Sequence, residues 1–199
     1  MDFINIIANG PEYALNDIYQ SICWIFAYSI CVFVPVIWSR ARYGKTMKYI
    51  LIRTSGRSLW LRIELWMALV CLICSVPVFT AGIIAKESFD LVLTQLFVYW
   101  INVLTTATVT KAVELLMGVK PAYIITLMGT IFSTVLWSMG TDMIKISPWC
   151  YGMMEMYHNN YGLLLRNSII ELVILLICGI MSGKIINYHM ETVNGNGEC

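Results

Sequence analysis

Residues 63–85 read Ile-Glu-Leu-Trp-Met-Ala-Leu-Val-Cys-Leu-Ile-Cys-Ser-Val-Pro-Val-Phe-Thr-Ala-Gly-Ile-Ile-Ala. The only charge in this stretch is Glu64, at its second position. A hydrocarbon core of about 30 Å is crossed by about 20 helical residues, so the stretch is long enough to span a bilayer. A helix is the expected form, because it satisfies its own backbone hydrogen bonds where no water can. Pro77 is expected to kink it.

Working outward, the same signature recurs at 18–39, which contains Pro35, and at 91–110, 121–141 and 168–186. The sequence therefore predicts an all-α polytopic bundle of about five spans, one transmembrane domain over residues 1–199. Composition agrees: 59% of residues are hydrophobic, 13% are charged and the mean hydropathy is +0.73, whereas a soluble domain carries about 25% charged residues. Neither internal repeats nor low-complexity linkers break the chain.

Charge is segregated along the sequence. Arg40, Arg42, Lys45, Lys48, Arg53, Arg57 and Arg62 lie between the first two blocks and make up more than half of the chain's 13 Lys and Arg. The positive-inside rule makes this 40–62 loop cytoplasmic, with the N-terminus outside and the C-terminus inside. The opening residues carry Asp2, Glu12 and Asp17 without a basic residue, unlike a cleavable signal peptide. Trp38, Trp60 and Trp149 are expected to anchor at the membrane interfaces.

Two connections are more than turns. In the basic loop, an apolar run at 47–52 precedes Thr54-Ser55-Gly56, and Ser55 is placed to cap a helix continuing through Trp60 into the second span. The 147–167 connection, with Trp149, Met153, Met154 and Tyr157, is expected to lie in the outer interface or dip into the membrane.

Soluble catalytic signatures are missing: there is no GxxxxGK[ST], GxSxG or HExxH. Cys71 and Cys74 have CxxC spacing, but without a second pair or a cationic neighbour the packing reading is preferred to a redox one. Cys23, Cys31 and Cys178 likewise lie in apolar blocks. His158 and His189 fall on opposite predicted sides, which argues against a shared metal site. Acidic groups inside apolar blocks carry more information, since a charge in hydrocarbon costs several kcal/mol unless paired or wet. Glu64, Glu114, Asp142 and Glu171 are expected near span ends, within reach of water. Glu64 is the strongest candidate, with Arg62, for holding the basic helix in place. Asn102, Thr105 and Thr106 are candidates for a polar path, although interhelical packing is the preferred reading.

The segment Lys45-Thr46-Met47-Lys48-Tyr49-Ile50-Leu51-Ile52-Arg53-Thr54-Ser55-Gly56-Arg57-Ser58-Leu59-Trp60 resembles the coupling segment of ABC-2 type transporter membrane subunits, in particular the small permeases of bacterial antimicrobial-peptide exporters. The 147–167 connection resembles the external re-entrant hairpin of that family. The resemblance implies that Lys45, Met47, Lys48, Ile50, Leu51, Arg53, Arg57 and Trp60 dock a separate ABC ATPase. It also implies a second membrane subunit, ATP and Mg on the ATPase rather than on this chain, contact with membrane lipid but not nucleic acid, and residence in a bacterial plasma membrane. The cargo would be an antimicrobial peptide or another hydrophobic compound. The family usually has six spans with the N-terminus inside. Here either residues 1–20 form an abbreviated external element or another subunit supplies the missing helix. The competing readings are a substrate-binding subunit of a vitamin importer and a membrane thiol oxidoreductase.

Overall fold

The computed structural model describes residues 6, 18–43, 56–84, 89–139, 148–153, 157 and 161–195. All regular structure among them is helical: α1 (Ile18–Tyr43), α2 (Gly56–Ile84), α3 (Phe89–Met117), α4 (Val119–Ser138) and α5 (Tyr161–Gly195), with a short 3-10 turn at Pro148–Cys150 between α4 and α5. Each of the five long helices contains a window long and apolar enough to cross a membrane. The chain is a multi-pass helical membrane protein.

The helices outrun the apolar blocks. α3 continues seven residues past Thr110, and α5 begins at Tyr161 rather than Ser168 and passes beyond Ile186. Residues 40–43 of the expected basic loop belong to α1, and 56–62 belong to α2. Hydropathy marks only the part of a helix that sits in hydrocarbon, while the backbone ladder runs on into the polar ends. In contrast, α4 ends at Ser138, short of the expected Thr141.

α3 is the central helix. Of its apolar window 67% is buried, against 22–33% in the other four, and residues 101–108 are buried without interruption. It packs against α1, α2, α4 and α5. Its first turns expose Leu91, Leu93 and Phe97, but its middle is enclosed by the other helices, which is why that part can carry Asn102, Thr105, Thr106, Thr108 and Thr110. The outer helices instead expose large apolar side chains along one side, such as Ile22 and Phe26 on α1 or Leu65, Leu69 and Ile73 on α2. That surface suits lipid, not water. An apolar groove of about 910 Å³ runs between α1 and α4, lined by Ile18, Ile22, Phe26, Leu127 and Ile131.

α1 and α3 run parallel, and their charged ends meet. Arg40 at the end of α1 lies 3.9 Å from Glu114 near the end of α3, and Lys111 lies 3.2 Å from the same carboxylate. The turn from α3 to α4 is one residue, Gly118, at φ 89°. That conformation favours glycine over any residue with a Cβ. Pro121 then falls in the first turn of α4, where a missing N–H costs no helical bond.

α2 and α5 approach through a glycine pair. A Cβ on Gly179 would sit 3.4 Å from the Trp60 indole nitrogen, and one on Gly183 would sit 3.5 Å from the Arg57 Cα. Gly179 and Gly183 are one GxxxG, spaced to put two small residues on one helix face. Trp60, expected at an interface, is instead core, at 2% exposure. Its ring fills the space that the missing side chains leave.

Candidate functional site: a polar seam inside the bundle

The seam centres on Asn102, midway along α3 and fully buried. Its side-chain nitrogen donates to Glu171 Oε1 on α5 at 2.6 Å and to the Pro148 carbonyl at 2.7 Å. Its oxygen accepts from the Tyr28 hydroxyl of α1 at 2.6 Å. That bond uses the phenol's one hydrogen, so in the 2.7 Å contact between Tyr28 and Thr106 the threonine donates. One amide thus ties α1, α3, α5 and the 148–153 segment together. Around it, Trp24 stacks on Tyr28 with centroids 5.7 Å apart, and Tyr99 meets both rings edge-on.

Glu171 departs from the sequence expectation. Its position in the sequence predicts a span end with water in reach, yet it is 1% exposed. The reason is the early start of α5, which leaves Glu171 ten residues inside the helix rather than three beyond its beginning. A carboxyl there needs a hydrogen-bond partner, and Asn102 provides it.

The 148–153 segment is keyed into the bundle at the height of the middle of α3. Gly152 comes so close to Asn102 that a Cβ would lie 2.9 Å from Oδ1, and Trp149 covers Gly129 of α4, where a Cβ would lie 2.6 Å from the indole ring. Tyr157 donates to the Tyr151 carbonyl at 2.8 Å and accepts from Asn167 Nδ2 at 3.3 Å. Trp149, Met153 and Tyr157 are therefore packed inward. Met154 lies outside the described residues.

Of the candidate path, Asn102 and Thr106 share this network through Tyr28, whereas Thr105 turns its hydroxyl back to the Ile101 carbonyl of its own helix at 2.8 Å. Lower on α3, Thr108 donates to Glu64 Oε1. Thr110 shares a hydrogen bond with Thr126 of α4 at 2.7 Å. Glu64 thus meets Thr108 of the central helix, and Arg62 is exposed. At the basic end Arg42 lies over the rings of Trp38 and Trp66, 5.2 and 4.6 Å from their centroids, a cation–π arrangement. Of the docking candidates, Arg57 and Trp60 begin α2 against Gly183 and Gly179. Lys45, Met47, Lys48, Ile50, Leu51 and Arg53 lie outside the described residues, as does Ser55.

Cys71 is buried, Cys74 is partly buried, and the Cys31 thiol donates to the Cys74 carbonyl at 3.3 Å. Among the described residues, no group of His, Cys, Asp and Glu is arranged to hold a metal ion. Sequence reasoning missed Tyr28, Gly129, Gly152 and the Gly179/Gly183 pair. The GxxxG spacing was a readable signal for the last. Nothing local distinguishes Tyr28 from the chain's other tyrosines.

No protein-family model matches this chain, and no curated protein and no solved structure is significantly similar to it.

Proposed function

We propose that the chain is a membrane-spanning subunit of an ABC exporter complex. It forms part of the translocation path with a second membrane subunit and docks a separate ATPase through residues 45–60. In this reading the basic end faces the cytoplasm of a bacterial cell, the 147–167 connection is an external re-entrant hairpin, and the cargo is an antimicrobial peptide or another hydrophobic compound.

The observation that supports this reading is how α2 begins. The basic segment leads directly into Arg57 and Trp60, which are seated on α5 at Gly183 and Gly179. α5 in turn reaches Asn102 and the 148–153 segment through Glu171. A displacement applied at the basic segment has a continuous packed route to the opposite half of the bundle, as a subunit driven by an external ATPase requires.

The test is affinity copurification from native membranes. An ABC ATPase should be recovered with the tagged wild-type chain. Exposed ion pairs are worth at most about 1 kcal/mol each, so docking should rest on the apolar side chains, each worth about 1.5–3 kcal/mol when buried. Replacing both Ile50→Asp and Leu51→Asp should release the ATPase while the chain still inserts. Replacing Met153 and Met154 should leave ATPase recovery unchanged. Full retention by the Ile50/Leu51 variant, or no ABC ATPase with the wild type, refutes the assignment.

A further inference from the structure

At the basic end of the bundle, α1 and α2 set the same two residue types side by side. These helices run antiparallel in a register fixed at two points. The Cys31 thiol meets the Cys74 carbonyl, and seven residues on along α1, eight back along α2, Trp38 meets Trp66 with ring centroids 5.8 Å apart. Arg42 follows Trp38 by four residues and Arg62 precedes Trp66 by four, so each arginine stands one turn beyond its tryptophan on the same helix face. The two arginines therefore flank the polar side of the ring pair. Arg42 lies over both rings, and Arg62 is exposed and forms no ion pair among the described residues.

Away from the basic end, the same two faces become apolar. Val34 and Ile30 continue the four-residue step of Trp38 along α1, and Leu69 and Ile73 continue from Trp66 along α2, all of them exposed. The change falls at the ends of the apolar blocks: Trp38 and Trp66 lie just inside 18–39 and 63–85, and Arg42 and Arg62 lie just outside. The face thus presents two guanidiniums, then an aromatic pair, then an apolar strip. A phospholipid has the same order: phosphate, glycerol backbone, acyl chains.

We propose that this face of α1 and α2 binds an anionic phospholipid, with Arg42 and Arg62 on its phosphate, Trp38 and Trp66 against its glycerol region, and its acyl chains along the strip below. Charge complementarity selects the occupant. A guanidinium presents a planar fork that matches phosphate oxygens, and tryptophan rings sit at headgroup level. Glu114 is engaged by Arg40 and Lys111, and Glu64 faces Thr108 inside the bundle, so neither of these carboxylates offsets the charge of the arginine pair. A zwitterionic lipid fits less well: its ammonium would meet two guanidiniums, and Arg42 already holds the cation–π position over both rings. This inference does not depend on the exporter reading; it needs only a lipid leaflet at the basic end.

The test is native mass spectrometry of the purified full chain, released from detergent micelles that carry equal amounts of phosphatidylglycerol and phosphatidylcholine with identical acyl chains. The ratio of the two singly lipid-bound species reads the preference. Each arginine near an anionic headgroup is worth about fivefold in affinity, so the wild type should favour phosphatidylglycerol by about tenfold or more. Replacing both Arg42→Gln and Arg62→Gln should bring the two lipids within about twofold of each other. Replacing Lys120→Gln and Lys184→Gln, which removes as much exposed charge from α4 and α5 at the same end, should keep the preference. Arg62→Gln alone changes an exposed site away from the ring contacts and should lower the preference about fivefold, which keeps the test open if the double arginine variant does not insert. Excess glycerophosphate should leave the bound lipid in place. No preference in the wild type, an undiminished one in either arginine variant, or an equal loss in the lysine variant refutes the proposal. So does displacement by glycerophosphate, which would mark a site for soluble phosphate instead.

Discussion

Tyr28→Phe deletes a single oxygen from the middle of the bundle and leaves the ring contacts with Trp24 and Tyr99 in place. The hydroxyl makes two interhelical hydrogen bonds, to Asn102 and Thr106. Bonds of this kind inside membrane proteins average about 0.6 kcal/mol and reach about 1.7. The expected loss is therefore about 1.2 kcal/mol, with a ceiling near 3.4. The upper half of that range applies if Asn102 Oδ1 stays unsatisfied, since Thr106 can turn its hydroxyl back to its own helix but the amide oxygen cannot. Thr105→Val is the matched control. Thr105 is as buried as Tyr28's partners, yet its hydroxyl bonds only to Ile101 of the same helix, so its removal should cost under about 0.5 kcal/mol. Reversible unfolding in mixed micelles gives both values, and a double-mutant cycle with Asn102→Ala should return a coupling of about 0.6–1.7 kcal/mol. A Tyr28→Phe loss no greater than that of Thr105→Val, or a coupling of zero, would show that the seam does not hold these helices together.

Gly129→Ala would place a methyl group 2.6 Å from the Trp149 ring and should destabilise the protein by about 1–3 kcal/mol, as overpacking does. In a Trp149→Ala background the same change should be close to neutral, and equal costs in both backgrounds, measured by the same unfolding assay, would contradict the seat of Trp149 on Gly129. A single cysteine introduced at Lys48 in a chain otherwise free of cysteine should react with a membrane-impermeant maleimide only after cells are opened. Labelling in intact cells would reverse the orientation read from the 40–62 charges.

Much of the architecture is legible in the chain alone. Insertion into a bilayer depends on composition summed over about 20 neighbouring residues, so each of the five apolar blocks announces its helix independently of the others, as 63–85 does around Pro77. Charge segregation is equally local, and the basic end of the bundle follows from it. What tertiary structure decided is which residues meet. Glu171 and Glu64 read alike in sequence, as acids near block ends, but Glu171 meets Asn102 and Glu64 meets Thr108. Trp60 resembles an interfacial anchor until the glycines at 179 and 183 make a place for it. Asn102 and Thr105 are only three residues apart on α3, yet one joins four segments and the other serves its own helix. The physical reason is that partner choice depends on the rotation and register of each helix about its neighbours. Close packing of whole surfaces sets both, and the composition of any single helix contains neither.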